Sequence, residues 1–167
     1  SIAICNSTCI LLDYSSLTNS CQANEWPKEF MGNEMTAIET IRAYYAAFNG
    51  QDMDAFLALL DDDVVHDINQ GERQVGKAAF AKFMDHMNTS YKEELKDMVI
   101  MANEDGTRGA AEFVVHGEYL KTDEGLPEAK GQKYVLPAGA FFELKNGKVA
   151  RISNYYNLND WIAQVSA

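Results

Sequence analysis

Acid–base chemistry needs a carboxylate or an imidazole held in a defined place, and the stretch Asp61 to Gly71, DDDVVHDINQG, offers both. Side chains of an extended segment repeat every two residues. Val65, Asp67 and Asn69 therefore fall on one side of it, and Val64, His66 and Ile68 on the other. Asp67 is the acid inside the apolar part of this run. A charge there is costly to bury, so Asp67 is either solvated or paired at an edge, or held in a cavity as a proton acceptor. Asp61, Asp62 and Asp63 do not form a hard-cation loop, which needs oxygen ligands at intervals around a turn with a closing acid; three acids where a helix meets a strand make a solvated cap. No metal site is expected.

The elements that must position Asp67 follow from periodicity. From Thr36, apolar residues recur at helical intervals (Ile38, Ile41, Tyr45, Phe48), with Tyr44 at the edge of the stripe, and Asn49-Gly50 ends the helix. Asp52 starts a short second helix carrying Phe56, Leu57, Leu59 and Leu60. After Gly71 and Gly76, a third helix from Lys77 to about Ser90 aligns Phe80, Phe83, Met84 and Met87 on one face. Residues Leu95 to Ala102, Arg108 to Lys121, Lys133 to Leu144 and Lys148 to Asn157 are β-rich. Asn146-Gly147 forms the turn of a hairpin. Three helices followed by a meander indicate an α+β domain: a curved antiparallel sheet, cone-shaped and capped by the helices, enclosing a cavity.

Bulk composition narrows the function. A chain of 167 residues, 47% hydrophobic, holds one domain with a real core. A net charge of −11, with no cluster of Lys and Arg among aromatics, argues against nucleic acid, and no apolar run approaches the roughly 20 residues that span a bilayer. The expected location is cytoplasmic. All three cysteines, Cys5, Cys9 and Cys21, precede the periodic segments, so no disulfide framework supports the main body. Residues 1–34, rich in Ser, Thr, Asn and Cys, read as a disordered or non-native leader, with the functional protein starting near Met35. The domain is expected to occupy 35–167.

The order of elements, together with YYAAFNGQDMDAFLALLDDDVVHDINQG, resembles the nuclear transport factor 2-like superfamily, and within it the ketosteroid isomerase and SnoaL-like polyketide cyclase branch. The resemblance covers roughly residues 36 to 160. It implies Asp67 as the general base and Tyr44 as the donor to the substrate oxyanion. The second oxyanion donor of the isomerases is missing: Gly139 stands at its position, and Met84 replaces a supporting tyrosine. Losing one such donor costs about 10²–10³ in rate, which argues against a true steroid isomerase.

If Phe113 keeps the family's inward orientation, Ala111, Val115, Gly117 and Tyr119 share its face, and on the last strand Ile152, Asn154 and Tyr156 point inward. Phe83 and Gly139 complete the expected substrate-binding set, with Asn154 or Tyr156 as a replacement donor. His66 and His116 are expected on the outer face, away from any dehydratase-like histidine pair, and His86 in solvent. The resemblance implies no cofactor, a homodimer through the sheet, and proton abstraction from a small apolar or aromatic carbonyl compound. The alternative is a non-catalytic dimeric module that binds a hydrophobic metabolite.

Overall fold

The computed structural model describes residues 35–167, so the expectations for the leader and its cysteines lie outside the described residues. Helix α1 (Ala37–Asn49) begins where Thr36 and Glu39 cap each other: the Thr36 hydroxyl accepts from the Glu39 amide at 3.3 Å, and the Thr36 amide donates to Glu39 Oε2 at 2.8 Å. Its buried face is built on Ile41, Tyr44 and Tyr45, while Ile38 lies out toward solvent. Asp52 caps the six-residue α2 (Met53–Ala58), which lays Phe56 into the core.

Strand β1 (Leu60–Asp67), the short β2 (Arg73–Val75), helix α3 (Lys77–Ser90) and strands β3 (Tyr91–Ala102), β4 (Arg108–Tyr119), β5 (Gln132–Lys145) and β6 (Lys148–Tyr156) follow, and α4 (Leu158–Val165) closes the chain. The six strands form one sheet in the order β2-β1-β6-β5-β4-β3. The α+β class is as expected, but the sheet is mixed. Strand β1 runs parallel to β6, because the chain between them returns to the sheet in the same direction; the other neighbours are antiparallel. The β5–β6 hairpin turns on Asn146 and Gly147, at φ 52° and 69°, the left-handed backbone that a two-residue loop requires.

Two features that the residue pattern did not suggest shape the interior. Helix α3 passes into β3 with no intervening loop, so this strand starts at Tyr91, four residues before Leu95, and includes Glu93. Helix α4 has Asn157 as its cap and buries Trp161 and Val165. It is fastened to β5 by Gln164, whose side chain both accepts from and donates to the Val135 backbone at 2.9 and 3.0 Å. Asn49, at the end of α1, likewise clasps the Leu95 backbone through both its amide atoms, each at 2.9 Å, and so fixes β3 at Leu95 against α1. These polar clasps satisfy backbone groups that would otherwise be buried without partners.

Candidate functional site

Between the helices and the concave face of the sheet lies a cavity of about 560 Å³, large enough for a molecule of two or three fused rings. Its walls are mostly aromatic and aliphatic. Phe113, Val115, Asn154, Tyr156, Phe83 and Tyr44 all border it, as the strand parity and the helix stripe require. Gly139 does not. On β5 the even-numbered residues Tyr134, Leu136 and Ala138 turn inward, and Gly139 shares the outer face with Val135 and Phe141.

Asp67 does not border the cavity either, which overturns the expected base. The alternation along β1 holds, but its phase is the reverse of that expected: Val64 and His66 are buried, and Asp67 lies on the other face. The register of the β1–β6 ladder shifts between Leu60 and Val65, and past it His66 pairs with the buried Ile152. On the outer face Asp67 is gripped by two arginines. Arg73, directly across the β1–β2 ladder, donates from Nε at 2.6 Å and Nη2 at 3.1 Å, and Arg151 of β6 donates from Nε at 2.8 Å. Arg151 also faces Glu143 at 3.6 Å, and Glu143 pairs with Arg108 at 2.8 Å.

The hydrogen bonds from Arg73, reinforced by Arg151 against a smaller opposing effect of burial, hold the Asp67 carboxyl below the usual aspartate range. A weakened base outside the cavity is a structural group. Asp67→Asn is therefore expected to leave catalysis within about twofold of wild type and to lower stability by about 1 kcal/mol, the scale of a partly exposed ion-pair network. Thermal melts, together with the exchange assay described below, check both parts.

His66 takes the place expected of Asp67. Its ring is only 2% exposed, stacks on Phe80 (centroids 4.5 Å apart) and meets the edge of Phe83 (4.6 Å). Burial pushes the imidazole down to about 4, with Asp67 next to it in the chain opposing the shift, so the ring is neutral at pH 7. Among the described residues its Nδ1 has no hydrogen-bond partner, and nor does the hydroxyl of Tyr45, which borders the same cavity.

The carboxylate that does enter the cavity is Glu93. It sits on the inward parity of β3, between Tyr91 and Leu95, and accepts a hydrogen bond from the Tyr134 hydroxyl at 2.6 Å. Burial raises its pKa above the usual glutamate value, and the bond from Tyr134 offsets part of that rise. Tyr134 lies flat over Gly117 of the neighbouring strand, where any β-carbon would collide with its ring. Trp161 packs against Tyr91, Tyr119 and Tyr134 at 6.1, 5.0 and 5.9 Å and closes this end of the cavity.

A second acid, Asp123, borders the cavity after β4 and is fully engaged. It accepts from Tyr91 Oη at 2.7 Å, and its carboxylate lies 2.9 Å from His86 Nε2, which brings His86 to the rim and out of the purely solvated place expected for it. Among the described residues Glu93, Asp123 and Glu124 line the cavity and no Lys or Arg does, so the interior repels anions. No group of three or more His, Cys, Asp or Glu side chains among the described residues is arranged to hold a metal ion.

Glu93 went unnoticed because YKEELKD reads as a solvated, charged stretch. The signal that could have found it is the spacing of Tyr91, Glu93 and Leu95 by two, opposite Lys92, Glu94 and Lys96.

Residues 41–152 match the family of SnoaL-like domains. Among solved structures, a candidate polyketide cyclase from Pseudomonas putida KT2440 is 68% identical, with a TM-score of 0.77, over 78% of this chain and 98% of that one. Another candidate polyketide cyclase, from Xanthomonas campestris pv. campestris, is 59% identical with a TM-score of 0.75, over 77% and 96%. An NTF2-like protein from Burkholderia xenovorans LB400 shares the fold at 15% identity, with a TM-score of 0.64 over 80% and 99%. No curated protein matches the chain.

Proposed function

We propose, from the premise that this chain belongs to the SnoaL-like domain family, that its cavity removes a proton next to the carbonyl of an uncharged aromatic or apolar ketone, with Glu93 as the base. The observation that carries this reading is a carboxylate inside an apolar cavity, with a raised pKa and a phenol fixing its orientation. In the step, a C–H bond beside the carbonyl breaks and its proton passes to Glu93. The released electron pair forms the enolate double bond, and the carbonyl π pair moves onto oxygen. Where the enolate is conjugated, return of the proton at its far carbon completes an isomerisation. Alternatively the enolate carbon attacks a second carbonyl of the same molecule, whose π pair moves onto its oxygen and takes the proton back from Glu93; this closes a ring, the type of reaction suggested by the names of the two bacterial relatives.

The oxygen that gains charge needs a neutral donor in the wall. Tyr44, the donor implied by the family resemblance, borders the cavity, and burial holds its phenol protonated by raising its pKa. The absence of Lys and Arg among the described lining residues favours substrates without a carboxylate or phosphate. The test is solvent deuterium uptake at C1 of 2-tetralone, an uncharged two-ring ketone, followed by proton NMR. Catalysed uptake supports the enzyme. Binding of the planar enol mimic 2-naphthol with no catalysed uptake would support the non-catalytic module.

The outer sheet face exposes Val135, Phe141 and Tyr155, with the last two rings 5.7 Å apart, and we assign this face to a second copy of the chain. Sedimentation is expected to show a dimer that Phe141→Glu converts to monomer. A wild-type monomer at all concentrations would refute it.

A further inference from the structure

The base accounts for one end of the reacting group. The wall near α3 holds a second buried polar group, His66, whose imidazole stacks on Phe80, meets the edge of Phe83 and, among the described residues, makes no hydrogen bond from Nδ1. Burying a polar side chain without a partner costs stability. A leucine or phenylalanine at this position would fill an apolar wall at no such cost. Stacking on Phe80 and the edge contact with Phe83 hold the ring's plane and leave it little freedom to turn, which is the preorganisation that a donor to a developing charge requires.

We propose that His66 is the second oxygen donor of the cavity, a neutral imidazole that carries its proton on Nε2 and gives it in a hydrogen bond to the carbonyl or enolate oxygen of an uncharged ring substrate. The inference rests on the reading of the cavity as a site of enolate formation and adds to it a second donor beside Tyr44. The tautomer follows from the surroundings of the ring. A proton on Nδ1 would be an N–H buried with no acceptor, whereas a proton on Nε2 leaves Nδ1 as the unpartnered lone pair and turns the donor to the edge of the ring that the cavity can reach. Burial keeps the imidazole uncharged at neutral pH. A neutral donor suits this place. An imidazolium would bind anions indiscriminately, and the buried neutral form polarises a carbonyl without that cost.

The experiment uses histidine labelled with nitrogen-15 in the full chain, with 2-naphthol as the probe. Two-bond proton–nitrogen spectra at pH 7 should show His66 neutral with the proton on Nε2, and saturating 2-naphthol should move the Nε2 signal. His66→Phe should weaken 2-naphthol binding about 10-fold and slow deuterium uptake into 2-tetralone by a similar factor, the scale of one neutral hydrogen bond; His66→Gln, which keeps an N–H donor, should restore part of both.

A proton on Nδ1, a charged ring at pH 7, failure of 2-naphthol to bind the wild type, or equal affinity of wild type and His66→Phe would each overturn the proposal. The spectra of the wild type decide the matter even if the variants fold poorly. Glu93→Gln separates this claim from the one it rests on. Loss of uptake with 2-naphthol binding retained sustains the base whatever His66 does, and uptake that survives Glu93→Gln removes the base while the spectra and affinities still judge His66.

Discussion

Glu93→Gln is expected to lower the rate of deuterium uptake into 2-tetralone by about 10²–10⁴, the usual worth of a positioned general base, while the protein stays folded and still binds 2-naphthol. The substitution keeps the size of the side chain and leaves an amide oxygen that can accept from Tyr134, so the hydrogen bond at 2.6 Å has a replacement and the cavity wall is undisturbed. What is lost is the lone pair that receives the proton. Stability should hold or improve, because the variant no longer buries a group whose charged form is disfavoured by its surroundings. A variant that lost uptake together with its fold would report on packing; the expected result is a melting temperature at or above that of the wild type.

Gly117→Ala is expected to cost about 10²-fold in uptake while leaving the Glu93 side chain itself in place. The Tyr134 ring lies on the Gly117 backbone, opposite it in the β4–β5 ladder, and an added methyl would occupy the place of the ring. Tyr134 must then swing away or the strands must part. Either movement separates its hydroxyl from Glu93 and loosens the contact with Trp161. Overpacking of this kind also destabilises by about 1–3 kcal/mol, so the melt should fall in parallel. The informative variant is the double one: Gly117→Ala with Tyr134→Phe should not be additive in rate, because both act by taking the same hydroxyl from Glu93. Additive losses would mean that Tyr134 does not act through the carboxylate.

These expectations concern residues that the amino-acid pattern revealed unevenly. The parity of β4 was legible, since Phe113, Val115 and Gly117 alternate with polar residues and one registration fixes them all. The alternation of β1 was equally legible, yet its phase was not. Asp67 on the outer face is compensated by two arginines, one of them 84 positions away. Pairing at that distance leaves no local trace, and the resemblance to the isomerases, which places an acid at Asp67, pointed to the wrong face.

Glu93 was hidden for a different reason. A glutamate followed by another glutamate and flanked by lysines looks solvated, and its burial arises only because α3 enters β3 without a loop and Tyr134 reaches across from β5. Helix α4 is short and polar at its start, so its apolar period was too brief to stand out, although its Trp161 closes the cavity.

The most direct measurement is the pH dependence of deuterium uptake into 2-tetralone by the wild type and by Asp67→Asn. Uptake by a carboxylate base appears as the pH rises through its pKa, and burial raises the Glu93 carboxyl above the ordinary glutamate value of 4.5, whereas the arginines hold Asp67 below the ordinary aspartate value of 3.8. Both proteins are predicted to share one rising limb centred above 4.5. A limb at or below 3.8 in the wild type that vanishes in Asp67→Asn would contradict the assignment and return the proton to the outer face of the sheet.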